Sequence, residues 1–131
     1  MFTTIKITSL TASIVGILTL VLAYRVAYIR KYNSVQPGIN GDLDFTVAFR
    51  AHANLVEYAP IFLILLAIAE FNQINSSLLI FVATAFTISR IAHAIGYTVN
   101  KGGKSALRSL GNSVTWIMLL LICLINLTGF I

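Results

Sequence analysis

The chain has 131 residues, 58% of them hydrophobic and only 10% charged, a balance too apolar for a water-soluble enzyme domain. Nine Lys and Arg against four Asp and Glu give a formal charge of +5, but the basic residues are scattered in ones and twos with no basic aromatic groove, which argues against nucleic acid as a partner. Four membrane spans of about 20 residues each use most of the length and leave enough for turns and ends, so the expected fold is an all-α membrane protein, a four-transmembrane-helix bundle in one domain.

Taken in chain order, the expected spans cover about 5–28, 46–70, 77–98 and 108–130. The first contains an uncharged run, Ile7 to Tyr24, followed by Arg25, Arg30 and Lys31. This run exceeds the roughly 7–15 residues of a signal-peptide core and has its charge on the wrong side, so helix 1 is expected to stay in the mature protein. Pro37-Gly38 and Asn40-Gly41 then suit tight turns, and Asp42 and Asp44 can cap helix 2. Helix 2 is apolar through Tyr58 to Ala69 but carries Arg50, Asn54 and Glu57 in its first half, with Pro60 as an expected kink.

Asn75-Ser76-Ser77 caps helix 3, whose uncharged run is Phe71 to Ser89, and Lys101-Gly102-Gly103-Lys104 breaks the chain before helix 4. Ser109 to Ile131 is uncharged throughout. Basic residues follow helix 1 and separate helices 3 and 4, whereas the 2–3 connection holds only Glu70 at its edge. The positive-inside rule therefore puts both basic loops in the cytoplasm and both termini on the other side of the membrane, in a multi-pass protein.

Charged groups inside spans cost a few kcal/mol each if they face lipid, so they are the informative ones. Arg50, Asn54, Glu57 and Tyr58 fall within about 100° of one another on helix 2. Arg90, His93 and Tyr97 form one stripe on helix 3. Both stripes lie in the cytoplasmic halves of their helices, near Arg30 and Arg108. The plain alternative is an ion pair of Glu57 with Arg50 or Arg90 that merely holds helices together. The two stripes set two Arg against one Glu, and the surplus positive charge fits an acidic small molecule better. His52 lies off the stripe and reads as a surface or interhelical contact. Trp116 and Thr115 read as packing residues, and Cys123 as an inert thiol. Phe45, Phe49, Tyr24 and Tyr28 suit an interfacial belt or a hydrophobic entrance. Two His on different helices with one Glu nearby give no basis for a metal site, and the common motifs of soluble hydrolases, nucleotide binders and zinc enzymes are missing.

The segment Gly41-x-x-x-Phe45-x-x-x-Phe49-Arg50-Ala51-x-x-Asn54-x-x-Glu57-Tyr58-x-Pro60 resembles the helix 2 signature of the MAPEG family, the membrane-associated proteins of eicosanoid and glutathione metabolism. Arg90, the Gly96-Tyr97 pair and Arg108 opening helix 4 extend the resemblance over essentially the whole chain. It implies a homotrimer with glutathione, as co-substrate, bound between neighbouring subunits near the cytoplasmic side. By the same resemblance Arg30, Arg50, Asn54, Glu57, Tyr58, Arg90, His93 and Tyr97 are the expected glutathione-binding residues and Arg108 the catalytic one, no metal being involved. His93 stands where a mammalian leukotriene-forming member has tyrosine, and Leu55 follows Asn54 where that branch has cysteine. Both departures point to small bacterial members, so the resemblance implies a bacterial inner membrane protein.

The implied activity is a membrane glutathione transferase or peroxidase of a detoxifying kind. It activates the thiolate for attack on a lipophilic electrophile or lipid hydroperoxide reaching the site from the membrane lipid. The rival is a non-catalytic membrane binding or scaffold protein of the same fold. A small multidrug transporter relies on an acidic residue in its first span, and Ile7 to Tyr24 has none.

Overall fold

The computed structural model describes residues 5–33 and 42–128. The expected turns at Pro37-Gly38 and Asn40-Gly41 lie outside them. Four helices make up the described chain: α1 Lys6–Tyr32, α2 Leu43–Phe71, α3 Ser76–Val99 and α4 Ala106–Thr128. Each is long and apolar enough to cross a membrane. At 1.5 Å per residue α2 is about 44 Å long, more than the roughly 30 Å of bilayer hydrocarbon, so its ends reach beyond the apolar layer.

The helix starts are set by side chains that receive orphan amides. Asp42 caps α2 by accepting from the Phe45 N–H at 2.8 Å, and that bond, followed by one from the Asn33 side chain, holds its carboxyl below the usual carboxylate range. Asn75 caps α3 by accepting from the Leu78 N–H at 3.1 Å. The start of α1 is served from a distance. Glu70, near the end of α2, accepts from the Ile7 and Thr8 N–H groups, both at 2.8 Å. Sequence reading placed Glu70 at a loop edge and found no partner for it. α2 continues through Pro60 as one helix.

α3 shares its broadest interface with α4, and α1 with α2; among the described residues α1 and α4 lie apart. α2 and α3 therefore form the middle of the bundle. In the half away from the basic loops the packing is mainly apolar, although Thr8 and Thr11 of α1 are also buried there. Phe62 and Phe86 stack with ring centroids 3.7 Å apart, and Leu66, Leu79, Val82 and Ile122 close around them, all buried. Asn126 ties α4 to α2 at this end by donating to the Leu65 carbonyl at 3.0 Å. The outer faces carry large apolar side chains such as Leu10, Leu20, Phe81 and Leu120, each more than half exposed. On a soluble protein that surface drives aggregation; against lipid it is the ordinary lining of a span.

Candidate functional site

Two glycines decide how the other half of the bundle closes. A Cβ on Gly111 of α4 sits 2.7 Å from the Ser89 carbonyl oxygen and 2.8 Å from the His93 nitrogen. One on Gly96 of α3 sits 2.6 Å from the Arg108 nitrogen. Only glycine admits backbones this close. The contact is reinforced by a buried bond between the Ser89 and Thr115 hydroxyls at 2.7 Å. With α3 and α4 pressed together, His93 and Tyr97 come up against Arg108, and the polar stripe of α2 faces them across a gap.

That gap is a cavity of about 530 Å³ lined by Arg50, Ala53, Asn54 and Glu57 of α2, His93 and Tyr97 of α3, and Arg108, Ser109, Asn112 and Ser113 of α4. Six of the nine residues expected at the site thus line it: Arg50, Asn54, Glu57, His93, Tyr97 and Arg108. Its walls carry two guanidinium groups and one carboxylate, a surplus of positive charge. The anticipated ion pair is not what consumes them. The one ion pair among the described residues joins exposed Lys101 to Asp44 at 3.8 Å.

Arg108 is held at the mouth of α4. Its Nη1 donates to the Gly102 carbonyl at 2.6 Å and the Gly103 carbonyl at 3.1 Å, and its Cζ lies 4.8 Å from the centre of the Tyr97 ring. The His93 ring follows, 5.9 Å from that of Tyr97. Guanidinium, phenol and imidazole thus line up along one wall, a cation–π contact fixing the first to the second.

The remaining expected residues sit elsewhere. Arg90 is only 2% exposed and does not line the cavity. It stands behind the wall, donating from Nη1 to Asn54 Oδ1 at 2.7 Å, with its Cζ 5.4 Å from the Tyr58 ring centre. A guanidinium so placed orients Asn54, leaving that amide's nitrogen for the cavity. Tyr58 also lies outside the lining and receives a hydrogen bond from Trp116 Nε1 at 3.1 Å. Trp116, read from sequence as a packing residue, is 55% exposed; Thr115, read the same way, is fully buried. Arg30 is exposed near the end of α1, outside this cavity, and His52 does not line it either.

Sequence reasoning missed Ser109, Asn112 and Ser113. A signal was present, since these residues recur one turn apart after Arg108 and share a face. Counting only formal charge hid it. Among the described residues there is no group of His, Cys, Asp and Glu able to hold a metal ion.

Two relatives match over most of their length. The inner membrane protein YecN of Escherichia coli K12 is 28% identical over 92% of this chain and 90% of its own, and YecN of Escherichia coli O6:H1 gives the same figures. With four span-capable helices, this likeness assigns the chain to the inner membrane as a multi-pass integral protein. The polar second helix and its partners agree with the wider comparison: residues 8–128 match the MAPEG family, and the chain belongs to it.

Proposed function

We propose that the protein is a glutathione-dependent membrane transferase or peroxidase that works as a homotrimer with its basic loops in the cytoplasm. The observation that carries this reading is the cavity wall with two guanidinium groups, one carboxylate and an oriented amide. Glutathione has two carboxylates and one ammonium. Arg50 matches a carboxylate, Glu57 the ammonium, and the Asn54 amide, fixed by Arg90, a peptide carbonyl. His93 and Tyr97 form the wall beside the thiol, and Arg30 of a neighbouring subunit completes the charge balance.

A thiol of pKa about 8.5 is mostly protonated at neutral pH, and lowering it by about two units needs about 2.7 kcal/mol of preferential thiolate stabilisation. Arg108, half-buried and braced against Tyr97, supplies it. The thiolate then forms an S–C bond at an electrophilic carbon as a leaving group departs. Alternatively it takes the terminal oxygen of a lipid hydroperoxide, breaking the O–O bond to give the lipid alcohol after protonation and a glutathione sulfenic acid, which a second glutathione converts to the disulfide and water. Calorimetric titration of the detergent-purified protein with glutathione is expected to show saturable binding. Arg108→Ala is expected to retain that binding and to lose the thiolate absorbance at the ultraviolet edge; an unchanged thiolate signal removes Arg108 from this role.

One observation favours the non-catalytic scaffold. Arg108 Nη1 is already engaged by two loop carbonyls, which leaves less of its donor capacity for sulfur. Saturable glutathione binding without turnover over a broad panel of electrophiles and hydroperoxides establishes that alternative.

A further inference from the structure

An arginine drawn into a cleft is commonly paired with a carboxylate, which fixes it but also cancels its charge. Arg108 is held differently. Both hydrogen bonds from its side chain to the described residues run from Nη1 to neutral backbone oxygens, those of Gly102 at 2.6 Å and Gly103 at 3.1 Å. A carbonyl sets the direction of a guanidinium without neutralising it. Of the five donors on the fork the two on Nη1 are used, and the three on Nη2 and Nε make no hydrogen bond to the described residues.

The turn that supplies those oxygens is shaped by its own backbone. Just past the end of α3, Lys101 and Gly102 both stand in the left-handed region, at φ +46° and +78°. The Lys101 N–H returns to the Thr98 carbonyl at 3.2 Å, the Gly102 N–H to Tyr97 at 2.9 Å and the Gly103 N–H to Asn100 at 2.8 Å. In a trans peptide the carbonyl and the amide point opposite ways. With the Gly103 N–H turned back to Asn100, the Gly102 carbonyl therefore points forward, at Arg108. Left-handed backbone is uncommon for lysine and persists only where the surroundings hold it. Here the Lys101 ammonium reaches Asp44 of α2 at 3.8 Å, and a Cβ on Gly102 would stand 3.5 Å from both the Tyr97 hydroxyl and the Val47 side chain of α2. The turn thus rests on α2 and on the same Tyr97 that lies under the Arg108 guanidinium. All of these contacts lie within one subunit and do not depend on what a neighbour adds to the cavity.

We infer that Gly102 is a positioning residue for the thiol chemistry: its carbonyl takes up Nη1 and so turns the Nε–Nη2 edge of Arg108, with its charge intact, toward the glutathione sulfur. The inference rests on the reading of Arg108 as the thiolate-stabilising group and adds what aims it. A donor already pointed at the place where negative charge develops stabilises that charge without first having to be ordered. The thiol proton leaves to water, and the turn itself exchanges no bond. Glycine suits the position because a side chain resists φ +78°, and a β-branched one most of all. The scaffold alternative gives the same two carbonyls the opposite effect, that of withholding Arg108 from sulfur. Loosening the turn therefore raises the pKa of bound thiol if the carbonyls aim Arg108, and lowers it if they withhold it.

The test uses the full-length protein in nanodiscs with glutathione and with S-methylglutathione, which has no free thiol. Gly102→Val is expected to raise the pKa of bound glutathione, read by titrating its ultraviolet thiolate signal, by about one unit. The rising limb of kcat against pH, measured with 1-chloro-2,4-dinitrobenzene, should move up with it. Affinity for S-methylglutathione should stay within about twofold, since the carboxylate and ammonium contacts are elsewhere. Gly102→Asn, which accepts left-handed backbone, should restore the thiol pKa. Should Gly102→Val not assemble, Gly102→Ala reads the same shift at about half a unit. An unmoved thiol pKa overturns the inference; if Arg108→Ala still loses the thiolate, the transferase reading stands. A lowered pKa overturns it too, because the turn then restrains Arg108. Loss of S-methylglutathione affinity in the Val and Asn variants alike also overturns it, since the turn then shapes the binding site rather than aiming one side chain. Absence of a thiolate signal in the unaltered protein saturated with glutathione overturns the role of Arg108 and the inference together.

Discussion

The two halves of this bundle are built from the same four helices by opposite means. Away from the basic loops, Phe62, Phe86, Leu66 and Ile122 fill the space between helices and leave little room. Near the loops, the helices meet through Gly96, Gly111 and hydrogen bonds, and the side chains that large residues replace elsewhere are drawn back to leave a cavity. In lipid there is little hydrophobic reward for pressing one apolar helix on another, so association rests on close packing and on polar bonds. The apolar half uses the first device. The polar half uses both, and the bonds it makes inside the wall, Arg90 to Asn54 and Ser89 to Thr115, free the remaining polar groups to face a ligand.

Substitutions can separate these roles. Phe86→Ala should cost the most stability, about 3 kcal/mol, because the Phe62 ring loses its stacked partner and a void remains; unfolding in detergent reads it, and glutathione affinity should be nearly unchanged. If affinity collapses in step with stability, the halves are not independent. Gly111→Ala should cost about 1–3 kcal/mol by forcing its methyl against Ser89 and His93, and here affinity should fall with stability, since the same shift moves the cavity wall. Glu70→Ala should have the smallest effect, about 1 kcal/mol, by exposing two amides at the start of α1. Hydrogen exchange at Ile7 and Thr8 should speed up while the cavity residues stay protected.

Much of this arrangement could be read from residue order, and the parts that could not share a cause. Long uncharged runs locate helices because hydrocarbon tolerates little else, and Asp42 and Asn75 announce helix starts because their short side chains reach the next turn. Spacing likewise put Arg50, Asn54 and Glu57 on one face. Spacing gives an angle around one helix but not what stands in front of a residue on another. Arg90 and Tyr58 share stripes with cavity residues yet lie behind or beside them, because α2 supplies Asn54 as the intervening layer. Ser109, Asn112 and Ser113 escaped notice because their polarity is uncharged and serine is at home in spans when it bonds its own helix. The service of Glu70 to α1 spans 62 and 63 residues of chain, beyond any local pattern.

That long-range clasp has a consequence for how the molecule is made. A first helix on its own carries bare amides at its leading end, among them those of Ile7 and Thr8. The carboxylate that receives them is delivered only when the second helix has threaded back across. The hairpin of α1 and α2 is therefore the smallest described piece in which the Ile7 and Thr8 amides both find a protein acceptor. It should settle as a pair during insertion, with the later two helices adding the chamber against a finished side.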